Sequence, residues 1–474
     1  MKTTSLPTWS KALSKPAEEF LPTKLEVISG KIPPGLRGSL YRNGPARLER
    51  GGIHVGHWFD GDGAILAVHF LGDGTATGVY SYVQTKAYQA ESQAGKLLYN
   101  NYGMTAPGGI WNSWFKPVKN AANTSVLALP DKLLALWEGG KPHYLDLKEL
   151  TTLGEDCLGE LNDKTPYSAH PKIDPLTGEI FNFGITPGRN ATLNIYRSNV
   201  SGNIKQKTTH QLDGVPLLHD FAFAGKYLIF IIPPVRLKLL SALLGLNSFS
   251  EAMTWKPELG TQILVIDRNT LDIVNRIQTE AWYQWHFANA YIDSGTIVVD
   301  FAKYQDFQTN QYLKEIATGE THTLAKSHLS RVHISPQANK VTQISDILDK
   351  HCEFPSVPSQ YVGQKSNRTY LAIAQPQTDM SKELLNGIAC FNHETETLTE
   401  ANIGDNIYPS EPIHVNDLDD PNQDWILTVV FDGNSESSEV WILDAQKLDE
   451  EPACKLGLPS IIPPGFHGTW KSNA

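Results

Sequence analysis

Residues 264–277 read LVIDRNTLDIVNRI: an apolar run, a polar turn and a second apolar run. Short apolar or β-branched stretches bounded by turn residues are strands, and a polar turn between two of them folds the chain back beside itself. The same unit recurs as HYLDLKELTTLGE (143–155), ACFNHETETLTEA (389–401) and VWILDAQKLDEE (440–451). Further strand-like runs include KLLALWEGG, EIFNFGITPG, KYLIFIIPP, GTIVVDFAKY, RTYLAIAQP and DWILTVVFDG, while helical periodicity is scarce. Irregular strand–turn–strand units at intervals of tens of residues predict an all-β fold built from propeller blades. No WD or kelch signature accompanies the repeat, so a large β-sandwich stays open at this level. No change of composition marks a linker, and residues 1–474 are read as one domain. Asp-Gly steps at Asp60–Gly63 and Gly72–Gly74 predict tight hairpins.

The chain is 41% hydrophobic and 19% charged, ample material for a core. A formal net charge of −11 argues against a nucleic-acid partner, whose phosphates need clustered Lys and Arg. Cys157, Cys352, Cys390 and Cys454 are scattered and read as buried thiols of a reducing compartment. The first twenty residues lack the apolar run of a signal peptide, and no stretch has the ~18 apolar residues of a spanning helix. The expected protein is cytoplasmic, at most attached to a membrane surface. One segment departs from the strand pattern, PPVRLKLLSALLGLNSFSEAMTWKP (233–257). Leu237, Leu240 and Leu244 would share one helical face there, and Leu239, Leu243 and Leu246 widen it.

Four of the 15 histidines stand out. His170, His219 and His286 each precede or open a strand-like run, and His467 sits between glycines in GFHGTW (465–470). Their separations of 49, 67 and 181 residues exclude a local finger-type site. In a propeller, however, residues that open the innermost strands of different blades can meet on the axis, and imidazoles meeting there would bind a divalent transition metal. His54 and His57 in HVGH have a metal-like spacing, but the HWFDGDG that follows reads better as strand and hairpin.

The segments PPGLRGSLYRNGPA (33–46), HWFDGDG, ALWEGG, the three histidine segments, EFP, SEP and GFHGTW together resemble the carotenoid cleavage oxygenases over nearly the whole chain. Length and segment pattern are most similar to compact cyanobacterial members that act on apocarotenoids. The resemblance implies a seven-bladed β-propeller with a helical dome over one face. It implies Fe(II) held by His170, His219, His286 and His467, with Glu138, Glu353 and Glu411 behind them. A ligating imidazole whose other N–H meets a carboxylate is fixed in tautomer and made more basic. Three glutamates for four histidines leave one imidazole supported otherwise. Thr124 matches a position beside an open coordination site.

The implied chemistry is insertion of dioxygen across a conjugated carbon–carbon double bond of an apolar polyene. Four neutral ligands leave the ion its full charge and up to two open positions. Candidate tunnel residues are Phe59, Trp111, Trp114, Phe115, Trp137, Trp285 and Phe354. The leucine-rich segment is then read either as a helix buried in the dome or as a patch that dips into the bilayer where such a substrate dissolves. A monomer acting on apocarotenals at the 15,15′ bond to give retinal is the expected form. Alternatives are cleavage of full-length carotenoids at another bond, a non-catalytic carotenoid carrier, a retinoid isomerohydrolase, and a calcium-dependent propeller hydrolase, which would need carboxylates on the axis.

Overall fold

The computed structural model describes residues 6–114 and 116–473. Seven antiparallel sheets form a β-propeller, so the sandwich alternative falls away. Blade 1 combines Phe20–Lys24, Arg37–Arg47, Asp62–Leu71 and Ala76–Tyr82 with the last strand of the chain, Gly468–Ser472. Blades 2 to 6 are four-stranded meanders that open with Ser125–Ala128, Lys172–Ile173, Ala222–Ala224, Tyr283–Asp293 and Cys352–Ser356. Blade 7 runs from Ile407–Pro409 to Cys454–Gly457 and takes its outermost strand, Glu26–Gly30, from the N-terminal part of the chain.

The strand composition follows from this layering. Middle strands are covered by neighbouring blades on both faces and are apolar without interruption: Tyr227–Ile232 is YLIFII, and all but its first residue is buried. Outer strands face water on one side and alternate, as in Ile204–Gln211, IKQKTTHQ. The strand-like runs quoted above are all strands, and LVIDRNTLDIVNRI is the turn between Thr261–Asp267 and Ile273–Thr279 of blade 4.

Two expectations are corrected. Gly72–Gly74 does turn a hairpin, closed by Leu71 N–H donating to Thr75 O at 3.1 Å, but Asp60–Gly63 does not. Trp58–Asp60 is a single 3-10 turn, and its side-chain cap is His57, whose Nδ1 accepts from Phe59 N–H at 3.1 Å. Asp62 is tied down by burial rather than by turning: Arg50 and Lys119 pair with it at 2.9 and 2.6 Å, and Lys119 also reaches the buried Glu91 at 2.8 Å. Cys352, Cys390 and Cys454 are buried, whereas Cys157 is exposed.

The ring closes twice. Glu26–Gly30 pairs with Cys454–Gly457, and Gly468–Ser472 pairs with Arg37–Arg47. Beyond the second ladder, Asn43 N–H donates to His467 O at 2.9 Å and Phe466 N–H to Asn43 O at 3.0 Å. The backbones approach so closely that a Cβ on Gly44 would sit 2.5 Å from Gly465 Cα. Over one end of the axis lie the turn Trp58–Asp60 and the helices Phe249–Ala252 and Thr309–Ile316, which roof the cavity described below. Gly44→Ala must push the closing strand outward. We expect a loss of about 1–3 kcal/mol in denaturant unfolding, with reduced metal content, because the displaced segment carries His467.

Candidate metal centre and cavity

Each blade sends one side chain of a single cluster toward the axis. Blade 3 contributes His170 just before its first strand and blade 4 His219, while blade 5 supplies His286 from within its first strand; blade 1 adds His467 just before its closing strand. Glu138 follows the second strand of blade 2, Glu353 lies in the first strand of blade 6, and Glu411 follows the first of blade 7. One ligand atom from each histidine falls within 4.8 Å of all the others. Nε2 of His170 is 2.9 Å from that of His219, and His286 Nε2 is 3.2 Å from His219 and 3.1 Å from His467.

The opposite ring edges face the carboxylates. His286 Nδ1 lies 2.6 Å from Glu353 Oε2 and His467 Nδ1 2.8 Å from Glu411 Oε1. Glu138 Oε1 is 3.1 Å from His219 Nδ1, within ion-pair range but off the line of a hydrogen bond. His170 is the imidazole left without a carboxylate behind it among the described residues. Each buried carboxylate is itself held. Glu353 accepts from Tyr304 O–H at 2.9 Å and from Phe354 N–H at 2.9 Å. Glu411 accepts from Gly468 N–H at 2.8 Å, with the Arg42 guanidinium 3.6 Å away.

Burial opposes ionisation of Glu353 and Glu411, yet the facing imidazoles and the N–H and O–H donors hold both below the usual carboxylate range. Burial, with the neighbouring rings, drives His170 well below the ordinary imidazole value. His467 is pushed down to about 4, chiefly by burial and against the pull of Glu411. Rings that give Nδ1–H to a carboxylate present Nε2 as a bare acceptor. His286 and His467 are set in this way, and four ring nitrogens converging on one point form the donor set of a shared cation. Neighbouring nitrogens 2.9–3.2 Å apart have the spacing of adjacent donors each ~2.0–2.1 Å from one shared ion. The four residues could therefore hold a first-row transition metal.

Beside the cluster runs a cavity of about 820 Å³ with mainly apolar walls. Phe59, Trp137, Trp285 and Phe354 line it, as does the buried Thr124, whose Oγ1 donates to Asn123 Oδ1 at 3.1 Å. Trp285 packs edge-on against His219 with centroids 4.9 Å apart, its Nε1–H donating to Thr309 Oγ1 at 3.0 Å. Phe354 lies over His286 at 5.3 Å and 25°. Its φ of +50° is a strained value for a bulky residue, and the geometry lets one residue cover the imidazole while its N–H holds Glu353.

The tunnel role expected of Trp111 and Trp114 does not hold. Their side chains are 70% and 46% exposed and neither lines the cavity; Trp114 instead donates to Leu244 O at 3.0 Å. Phe115 lies outside the described residues. The leucine segment divides as well. Leu240, Leu243, Leu244 and Leu246 are exposed, whereas Leu237 and Leu239 pack against the core and do not belong to the outer face. Leu237 also lines the cavity.

Sequence reasoning missed Tyr304 and Arg42, which hold Glu353 and Glu411 from 49 residues and more away along the chain. Nothing local marks either one. Phe466, which lines the cavity beside His467, could have been found from its place in GFHGTW. Replacing Glu353 or Glu411 with Gln should lower metal affinity roughly 10- to 100-fold. Glu138→Gln should cost less, because Glu138 is half-buried and poorly aligned; metal titration of the three variants checks the order.

Comparison with known proteins agrees with this geometry. The sequence profile of the family described as Retinal pigment epithelial membrane protein matches residues 13–472. The chain is 33% identical to apocarotenoid-15,15′-oxygenase of Synechocystis sp., covering 94% of this chain and 92% of that protein. It is 26% identical to isoeugenol monooxygenase of Pseudomonas putida over 96% of this chain and 97% of the other. The crystal structure of cobalt-substituted Synechocystis apocarotenoid oxygenase superposes with a TM-score of 0.90 at 32% identity, covering 98% of both chains. The chain belongs to the retinal pigment epithelial membrane protein family of carotenoid oxygenases and is an oxygenase.

Proposed function

We propose that this chain is a non-haem Fe(II) dioxygenase that cleaves the 15,15′ double bond of an apocarotenoid, giving retinal and a second carbonyl product. The observation that carries this reading is the large, mainly apolar cavity beside the four-imidazole cluster. At about 820 Å³ it lies near the top of the range for small-molecule sites. A single phenylpropene ring would leave most of it empty; an extended polyene fills it.

His170, His219, His286 and His467 hold the iron, which supplies the reactivity toward dioxygen that an amino-acid side chain lacks. The two oxygen atoms end in the two carbonyl products, so no reductant is consumed. The rest of the work is positioning. Phe59, Trp137, Trp285 and Phe354 keep the polyene extended beside the cluster, and Thr124 limits how it can lie there. Glu353 and Glu411 fix two of the imidazoles, and Glu138 stands within ion-pair range of a third.

The exposed leucines, joined by Trp111, Trp114 and Ile110, form an apolar surface patch. Leu237, in the short strand that leads into this segment, lines the cavity, which supports a mouth resting on the membrane that dissolves the substrate. No helix among the described residues is long and apolar enough to cross a membrane. In this proposal the protein works as a cytoplasmic monomer that attaches peripherally through the leucine patch.

The test is incubation of the iron-loaded protein with apocarotenals of several lengths and with β-carotene, followed by mass analysis of the aldehydes. A cavity that holds the ring-bearing half at fixed depth gives C20 retinal from several apocarotenals and little product from β-carotene. Products cut elsewhere, or a preference for β-carotene, contradict the substrate assignment. Changing Leu240, Leu243, Leu244 and Leu246 together to Ser should slow turnover of substrate in liposomes more than in detergent.

A further inference from the structure

We propose that the N-terminal turn Thr8–Leu13, with Trp9 at its centre, is the stop that fixes the depth of the cavity and so the length of substrate accepted. The inference rests on the polyene reading above. The cavity lining draws on every blade, and two apolar groups within it lie on opposite sides of the axis. Val215, Leu237, Phe249 and Met253 come from the blade 3–4 connection and the insertion of blade 4, next to the leucine patch. Met380, Leu384 and Tyr408 come from blades 6 and 7. In a ring of seven, blade 7 lies opposite the junction of blades 3 and 4. The second group therefore walls the cavity on the side away from the patch.

That end is weakly built by itself. Met380 and Leu384 belong to the loop between Arg368–Ile373 and Gly387–Asn392, outside the strand ladder. Trp9 backs this wall. It is fully buried, does not line the cavity, and shares one packed cluster with residues that do, among them Leu384, Tyr408, Trp58 and Phe466. Its Nε1–H donates to Lys382 O at 3.0 Å. The neighbouring Thr8 Oγ1 lies 2.7 Å from Tyr408 O–H, which donates to Glu383 Oε2 at 2.8 Å. The turn thus ties the blade 6 loop to blade 7, and the indole prevents Leu384 and Tyr408 from yielding to a longer ligand. Shrinking it leaves a void immediately behind the wall, into which those side chains can retreat.

Straight-chain primary alcohols serve as a ruler independent of catalysis. While each added methylene is buried, affinity should rise about fourfold, and the rise stops where the chain meets the wall. Calorimetric titration of wild type, Trp9→Phe and Trp9→Ala, each checked for iron content as a sign of folding, locates that cut-off. We expect it to move to longer alcohols in Trp9→Ala and part of the way in Trp9→Phe, with kcat/KM shifting toward longer apocarotenals in the same order. If Trp9→Ala does not fold, Trp9→Phe alone decides. An unchanged cut-off in a folded variant, or an equal loss at every chain length, overturns the proposal and leaves Trp9 a core residue. Wild-type protein that binds no alcohol and cleaves no apocarotenal overturns the polyene reading itself.

Discussion

The ladder between Gly468–Ser472 and Arg37–Arg47 is the interaction on which the rest depends. It joins the last strand to the first blade and ends the propeller as a closed ring, with the residue before the ladder, His467, held on the axis. Its backbone is fixed from both sides: Asn43 N–H donates to His467 O, and His467 N–H donates to Thr124 O at 3.2 Å. Gly468 N–H holds Glu411, which in turn meets the His467 ring. Strand pairing, ring closure and the orientation of one imidazole are therefore a single cooperative arrangement. Loss of the closing strand would remove a ligand together with a blade edge.

The seven-fold ring also accounts for the composition of the centre. Each blade reaches the axis with one position from this set, and the chain fills these with four histidines and three glutamates. The imidazoles face inward and Glu353 and Glu411 stand behind them, so these two negative charges stay away from the inner face. Taking carboxylates out of water is costly unless each is paired. Glu353 and Glu411 meet that condition fully, through Tyr304 and Phe354 N–H on one side and Arg42 and Gly468 N–H on the other. Glu138 meets it in part and keeps contact with the cavity.

Much of this was legible in the sequence. Middle strands announce themselves as unbroken apolar runs because they are covered on both faces, and the histidine contexts offered candidates that only the resemblance joined into one set. The resemblance supplied the number of blades and the pairing of Glu with His in kind, but not which ring goes without; that is His170. Legibility failed where meaning depends on distant contacts. HWFDGDG looks like a hairpin, yet Asp62 is buried by Arg50 and Lys119 from other segments. Trp111 and Trp114 look like tunnel residues from their apolar character alone, but their loop lies beside Leu244 at the surface. Tyr304 and Trp9 carry no local signature, because each acts through residues brought near only by the closed ring.

The most direct measurement is X-ray absorption at the iron edge of the Fe(II)-loaded protein under anaerobic conditions. Four imidazoles at ~2.1 Å, with no protein carboxylate in the inner shell, is the result this account predicts. Fewer than four imidazoles, or a directly bound carboxylate such as Glu138, would contradict it.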